Sequence, residues 1–283
     1  MSDKLIDAYV KWLRATGRHA KTTISERKRA LRQADRSLPD GLDEAADTEI
    51  IDYRCSGDWA QETKCAYDSH MRGFYHWGVL SGNLSLDPML YIPRPRRPAG
   101  IPNPCTDGEF ALAMTAPAPY GMAALLGGYL GLRCCEIVAA RREHVGPGGL
   151  RVVGKGGKVR IVPIGEAAWE VIGPMGPGNL CPGAHGRPIL ATSLTSCQRE
   201  AWHAMGLADT FHLHALRHWY ATTLLVQGAD IRVVQELLGH ASLKTTERYL
   251  QVIPQRMMAA VAMLPRIEPG PVSTRPGPAA EAA

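Results

Sequence analysis

The segment YIPRPRRPAGIPNPC, Tyr91 to Cys105, divides the chain. It holds five prolines and three arginines. Proline lacks a backbone N–H and its ring clashes with the preceding helical turn, so neither a helix nor a central strand runs through it. The chain must fold on either side, as residues 1–90 and 106–264, with 91–105 as an extended linker. At 283 residues it is long enough for two bodies, each with its own core. Arg94, Arg96 and Arg97 either keep a spacer solvated or pair with phosphates along a nucleic-acid backbone.

Apolar residues make up 45% and charged residues 21%, the balance of a water-soluble globular protein. No run of roughly 18 apolar residues occurs, which argues against a transmembrane helix. The start, MSDKLIDAYVKWLR, has no apolar signal-peptide region. The seven cysteines show no CxxC spacing, and the adjacent Cys134 and Cys135 suit neither an ordinary disulfide nor a tetrahedral metal site. These features predict a reducing, cytoplasmic setting with structural thiols. The net charge of +5 permits nucleic-acid binding without demanding it.

Residues 1–90 read as four helices. Leu5, Ile6, Tyr9, Val10 and Leu13 form an apolar stripe that Gly17 closes. TISE, Thr23–Glu26, fits a capping box for a second helix carrying Arg27, Lys28, Arg29 and Arg32. Asp47 is placed to cap a third, and Tyr67, Met71, Phe74 and Trp77 line a fourth that ends near Gly82. Such basic-faced helices suit a DNA-binding module, with Arg27 and Lys28 on phosphate, or a plain bundle with solvated charges.

Beyond the linker, TDGE, Thr106–Glu109, fits another capping box, and YGMAALLGGYLGL reads as a buried helix from Tyr120 to near Gly131. The period then drops to two. LRVVG and VRIVPI, from Leu150 and Val159, alternate as strands joined by KGGK, Lys155–Lys158, as a hairpin turn. Helical spacing returns from His214. The Pro/Gly/Ala-rich tail, 265–283, is expected to be disordered. The fold class is mainly α with a small antiparallel β-sheet.

In HLHALRHWYATTLLVQG, Leu213, Leu216, Tyr220, Thr223 and Leu224 mark the core side, while His214 and Arg217 share a neighbouring face. An imidazole and a guanidinium in one space suit an anion, because the planar fork of Arg matches phosphate oxygens. In ADIRVVQELLGH, Asp230 caps a helix with Ile231, Val234, Leu237 and Leu238 on its buried stripe. Gly239 can end it in the left-handed conformation and so fix where His240 points. SLKTTERYL starts another short helix at Ser242 with Tyr249 near its end, either a half-buried core residue or a nucleophile. Upstream, Arg133 in GLRCCEI follows the buried helix, Lys155 and Lys158 occupy the hairpin turn, and Arg160 follows on the strand. GKGGK lies between strands and lacks P-loop spacing.

In order, GLRxxE, GKGxKxR, HxLRH, LGH and a tyrosine nine residues past that histidine resemble the tyrosine recombinases, the family of phage integrases and Xer-type site-specific DNA recombinases. The resemblance spans about residues 2–264, and GFYHWGVLSGNLSLDP resembles the end of that family's helical, SAM-like core-binding domain. It implies a core-type DNA-binding domain before the linker and a catalytic domain after it. It implies that Tyr249 attacks the scissile phosphate and that Arg133 and Arg217 hold the non-bridging oxygens. Lys155, with Lys158 as the alternative, would protonate the leaving 5′ oxygen. His214 takes the general acid/base position, His240 donates to the phosphate, and Glu136 supports the site.

The resemblance also implies no cofactor and no metal. Its partners would be double-stranded DNA at specific sites and further copies of the chain, in a tetramer on two duplexes. There is room for an accessory DNA-bending or directionality protein, and no membrane is involved. Cys134 and Cys135 stand where relatives commonly have a small apolar residue and Ser; both are small enough to fit and are expected to be tolerated, with the loss of a hydroxyl hydrogen bond. The chain is expected to lack the arm-binding domain of larger phage integrases. That leaves a compact phage or mobile-element integrase, taken first, or a Xer-type resolvase. A silent DNA-binding regulator is disfavoured by the complete set of six residues, and a type IB topoisomerase by the HxLRH…LGH spacing. Finally, PQRMMAAVAML, Pro254–Leu264, is expected to form a helix whose apolar face docks on its own domain or on a neighbouring protomer.

Overall fold

The computed structural model describes residues 2–96, 102–183, 186–240 and Thr246, with the backbone alone at Lys155. The chain divides into two compact units at Ala99 and Gly100. Apart from Thr246, the expected helix from Ser242 with Tyr249 lies outside the described residues, as do the helix Pro254–Leu264, the tail and Arg97. No helix among those described is long and apolar enough to cross a membrane.

The first unit packs α1 (Ser2–Ala15), α2 (Lys21–Ser37), α3 (Asp47–Ser56) and α4 (Gln61–Leu80). Ile6, Tyr9, Val10 and Leu13 bury the stripe of α1 against Leu31 of α2 and Phe74 of α4. Tyr9 anchors this core, with ring centroids 5.7 Å from Phe74 and 5.3 Å from Trp77. Two expected caps are corrected. Helix α2 begins at Lys21, which places Thr23 inside it, and the earlier start brings Ile24 into the core at 4% exposure. Helix α3 starts at Asp47 itself, and Glu49 reaches back to accept the Ala46 N–H at 2.9 Å.

Half of the proline-rich segment is no free linker. Ile92 is buried in the first core, Arg54 donates to Pro93 O at 3.3 Å, and Gln61 donates to Arg96 O at 2.8 Å. Side chains of α3 and α4 thus satisfy carbonyls that proline keeps out of any ladder.

The second unit contains α5 (Asp107–Met114), α6 (Tyr120–Tyr129), α7 (Cys134–Ala139), β1 (Val145–Gly146), β2 (Gly149–Val153), β3 (Val159–Val162), α8 (Glu166–Ile172), α9 (Ala191–Ala204), α10 (Leu213–Val226) and α11 (Ile231–Leu238). The Thr106 hydroxyl accepts the Glu109 N–H at 3.2 Å while the Glu109 carboxylate accepts the Thr106 N–H at 2.8 Å. That reciprocal box starts α5 as expected. Buried α6 runs through the core against Leu213 and Leu216 of α10. The strands form one antiparallel sheet in the order β1-β2-β3, with Val152 opposite Arg160. Gly156 and Gly157 close the β2–β3 turn at φ of +76° and +79°, values glycine adopts at little cost.

Sequence periodicity did not reveal α7, β1, α8 or α9. The buried stripe of α9 is Leu194, Gln198 and Trp202, and the polar middle residue weakens its signal. Near the end of α10, Leu225 is buried, while Thr223 and Leu224 are half-buried. All seven cysteines are free. Burial is the main cause that pushes the Cys105 and Cys181 thiols up to about 12, so both stay protonated and unreactive near neutrality.

Gly128 faces the Phe110 ring so closely that an added Cβ overlaps it. That ring is itself held at 5.0 Å from Tyr129 and 4.7 Å from Trp219. Gly128→Ala should therefore lower the stability of the second unit by about 1–3 kcal/mol. Urea unfolding that leaves parent and variant indistinguishable would contradict this packing.

Candidate active site

Arg133 is the N-cap residue of α7, and the helix turns Glu136 inward, to 3% exposure. A carboxylate at that depth needs cations and donors to remain charged. Arg160 of β3 supplies a two-pronged contact, Nη1 to Oε1 at 2.8 Å and Nη2 to Oε2 at 2.9 Å. The Arg133 backbone N–H donates to Oε2 at 2.9 Å, and its Nη1 donates to Oε1 at 3.2 Å. Arg217 of α10 lies 3.8 Å from Oε2. Burial raises the Glu136 pKa, but the Arg160 hydrogen bonds, the Arg133 N–H and both guanidinium charges outweigh it and hold the carboxyl below its ordinary range.

The same arginines converge on the end of α11. Arg160 Nε donates to Leu237 O at 2.9 Å. Leu238 O accepts from Arg133 at 3.2 Å and from Arg217 at 2.6 Å, and Gly239 O lies 3.5 Å from Arg133 Nη2. Arg217 also donates to Gly131 O at 2.5 Å. The last carbonyls of a helix have no partner within it and carry its negative dipole end, so cations gather there favourably. Asp230 caps the other end by accepting the Arg232 N–H at 2.7 Å.

Gly239 adopts φ +64° and ψ +44°, the expected left-handed cap, and the chain turns at once into His240. The His240 N–H donates to Gln235 O at 3.1 Å, and its Nδ1 lies 3.0 Å from the Thr246 hydroxyl. Helix α10 starts at Leu213 because His212 Nδ1 accepts the Ala215 N–H at 3.0 Å, a histidine cap that sequence reading did not anticipate. His214 stands exposed in the first turn with its ring 4.6 Å from that of His218, while Arg217 is 1% exposed. One turn of α10 therefore separates an outward imidazole from an inward guanidinium. Lys155 occupies the hairpin turn, and Lys158 is exposed at its far side. Cys134 does more than fit its position: its thiol donates to Ala191 O at 3.3 Å and ties α7 to α9.

The other charged candidates divide. Arg94 and Arg96 are exposed on the first unit. Lys28 pairs with Asp7 at 2.8 Å. Arg27 is turned inward, donating to the Tyr9 hydroxyl at 3.2 Å, so its geometry is that of a core prop rather than a surface phosphate contact. Arg160 faces inward as a member of the Glu136 cluster. Among the described residues, no group of three or more His, Cys, Asp or Glu is placed to hold a metal ion.

The second unit thus gathers Arg133, Arg160 and Arg217 around Glu136 and the end of α11. Comparison with known proteins makes the class specific. Residues 113–256, which include every residue from Arg133 to Tyr249, match the Phage integrase family. The chain is 30% identical over 285 residues to tyrosine recombinase XerD of Shewanella oneidensis, covering 90% of this chain and 94% of that protein. It is 34% identical over 213 residues to tyrosine recombinase XerC of Rhodospirillum centenum, covering 68% of this chain and 62% of that protein, under two thirds of the relative's length. A lambda integrase tetramer bound to a Holliday junction shares the fold with a TM-score of 0.70 at 18% identity, over 87% of this chain and 76% of that one. This protein belongs to the tyrosine recombinase family.

The lowered Glu136 pKa sets a pH dependence. Its ionised form is favoured by folding, so its contribution is present above the unfolded value of about 4.3 and is lost as pH falls through the lower folded value. Glu136→Gln should cost roughly 3 kcal/mol at pH 7, since it leaves three guanidinium groups without their carboxylate. The gap between parent and variant should close in acid below the ordinary carboxylate range. Urea titrations at both pH values measure this, and a gap of constant size would contradict it.

Proposed function

We propose that this protein is a site-specific DNA recombinase that cleaves and rejoins duplex DNA through a 3′-phosphotyrosine at Tyr249. The observation that carries the reading is the meeting of Arg133 and Arg217 on one carbonyl, Leu238 O, beside the turn that leads to His240. Residues from three elements are thereby held ready around one point. In phosphoryl transfer, negative charge is spread over the non-bridging oxygens, and donors fixed beforehand are the main catalytic resource.

In this scheme the Tyr249 oxygen forms a bond to phosphorus as the bond from phosphorus to the 5′ oxygen breaks. Arg133, Arg217 and His240 hold the non-bridging oxygens, His214 acts in proton transfer, and Lys155 protonates the departing oxygen. The phosphotyrosine keeps the energy of the broken bond. A 5′ hydroxyl of another strand then attacks it, so rejoining needs no ATP. The clustered cations supply the charge that metal ions supply in two-metal sites.

The first unit is proposed to grip DNA at the core site. Lys28, Arg29, Arg32 and Arg36 line one side of α2, and Arg94 and Arg96 are exposed on the same unit. Lys28 and Arg32 already pair with Asp7 and Asp3, so Arg29, Arg36, Arg94 and Arg96 are the stronger candidates. The lambda integrase assembly is a tetramer on a Holliday junction, which supports four copies on two duplexes here. Between the two subclasses, the Xer names of relatives at 30% identity or more favour the Xer-type resolvase over the compact integrase.

The test is covalent trapping on genomic DNA, followed by sequencing of the trapped ends. Tyr249→Phe should bind DNA and form no adduct; a normal adduct yield in that variant sinks the proposal. Arg217→Ala should raise the cleavage barrier by about 3 kcal/mol or more, through loss of a preorganised oxyanion partner. Cleavage in excess EDTA should match that in its absence, and complete dependence on Mg²⁺ would point to different chemistry.

A further inference from the structure

We infer that Arg160 is a positioning residue that holds the root of the hairpin turn, and with it the leaving-group acid, in register with the end of α11. This rests on the recombinase reading above. The Arg160 side chain is 10% exposed and makes three directed bonds, two to Glu136 and one to Leu237 O. Its guanidinium lies between two glycines. A Cβ on Gly154 would stand 3.5 Å from Arg160 Nη1 and 3.7 Å from Glu136 Oε1. A Cβ on Gly239 would stand 3.0 Å from the same Nη1. Gly154 immediately precedes Lys155, and Gly239 immediately precedes His240. One planar group therefore spaces the root of the hairpin turn from the end of α11, and Glu136 locks both to α7.

A lysine cannot replace it. Lysine has one nitrogen, whereas this position uses Nε and both Nη atoms in a fixed fork. Arg160→Lys keeps the charge but frees the hairpin root from α11. The Lys155 end then loses register with the phosphate, and proton delivery to the 5′ oxygen should suffer first.

The experiment compares two suicide substrates that differ in one atom. In ordinary DNA, the bond from phosphorus to the 5′ oxygen breaks and that oxygen needs a proton. With sulfur at the 5′ bridging position, the same attack by Tyr249 expels a thiolate that needs none. Arg160→Lys should slow cleavage of the oxygen substrate on the order of a hundredfold, the scale for a misplaced catalytic group. It should cleave the sulfur substrate within a few-fold of the parent and keep the parent's DNA affinity. Arg133→Ala should be slow on both.

Equal slowing of Arg160→Lys on both substrates would make Arg160 a merely structural residue and overturn the inference. So would parental rates on the oxygen substrate. A parent that forms no adduct on either substrate overturns the recombinase reading itself. Should Arg160→Lys fail to fold by circular dichroism, Arg160→Gln, which keeps an amide donor and leaves Glu136 paired with Arg133, takes its place. The same ratio of sulfur to oxygen rates then decides.

Discussion

The buried carboxylate of Glu136 is the interaction on which the second unit depends. At 3% exposure it is far from bulk water, and an isolated charge there would be prohibitively costly. Cations from three elements offset that cost: Arg133 at the start of α7, Arg160 on β3 and Arg217 on α10. Because each guanidinium has several donors, each binds Glu136 or its surroundings and also a carbonyl elsewhere. The carboxylate thus joins a helix terminus, a sheet and a second helix, and the cluster keeps an excess of positive charge.

The carbonyls at the end of α11 are the second half of the same device. Leu237, Leu238 and Gly239 would otherwise present unpaired acceptors. The arginines satisfy them and are themselves oriented by them. A guanidinium ordered by protein carbonyls has little rotamer freedom left to lose when an anion arrives, which favours the preorganisation that phosphoryl transfer requires. The sharp left-handed turn at Gly239 adds His240 to the arrangement at no cost in side-chain strain.

Much of this architecture was legible beforehand where local chemistry is strong. The Thr106 capping box, the glycine-closed hairpin, the Asp230 cap and the Gly239 stop are each decided within a few residues, so they read directly. Helix α9 did not, because its inward face includes Gln198. The TISE box failed for a related reason: burial of Ile24 outweighs a local cap in setting where α2 begins. The inward turn of Arg27 onto Tyr9 joins residues from two helices, and composition treats all surface arginines alike.

By itself, the sequence determined the residue types of the candidate centre, the two-part organisation and the helix stop that places His240. These follow from backbone preferences and from spacings of a few residues. Only the tertiary structure decided that Arg160 faces inward to Glu136, that Ile92 belongs to the first core, and that Arg133 and Arg217 share the carbonyl of Leu238. The reason is physical. A charged side chain carries the same sequence signal whether it meets solvent, DNA or a buried carboxylate, and the choice depends on which acceptors folding brings from distant parts of the chain.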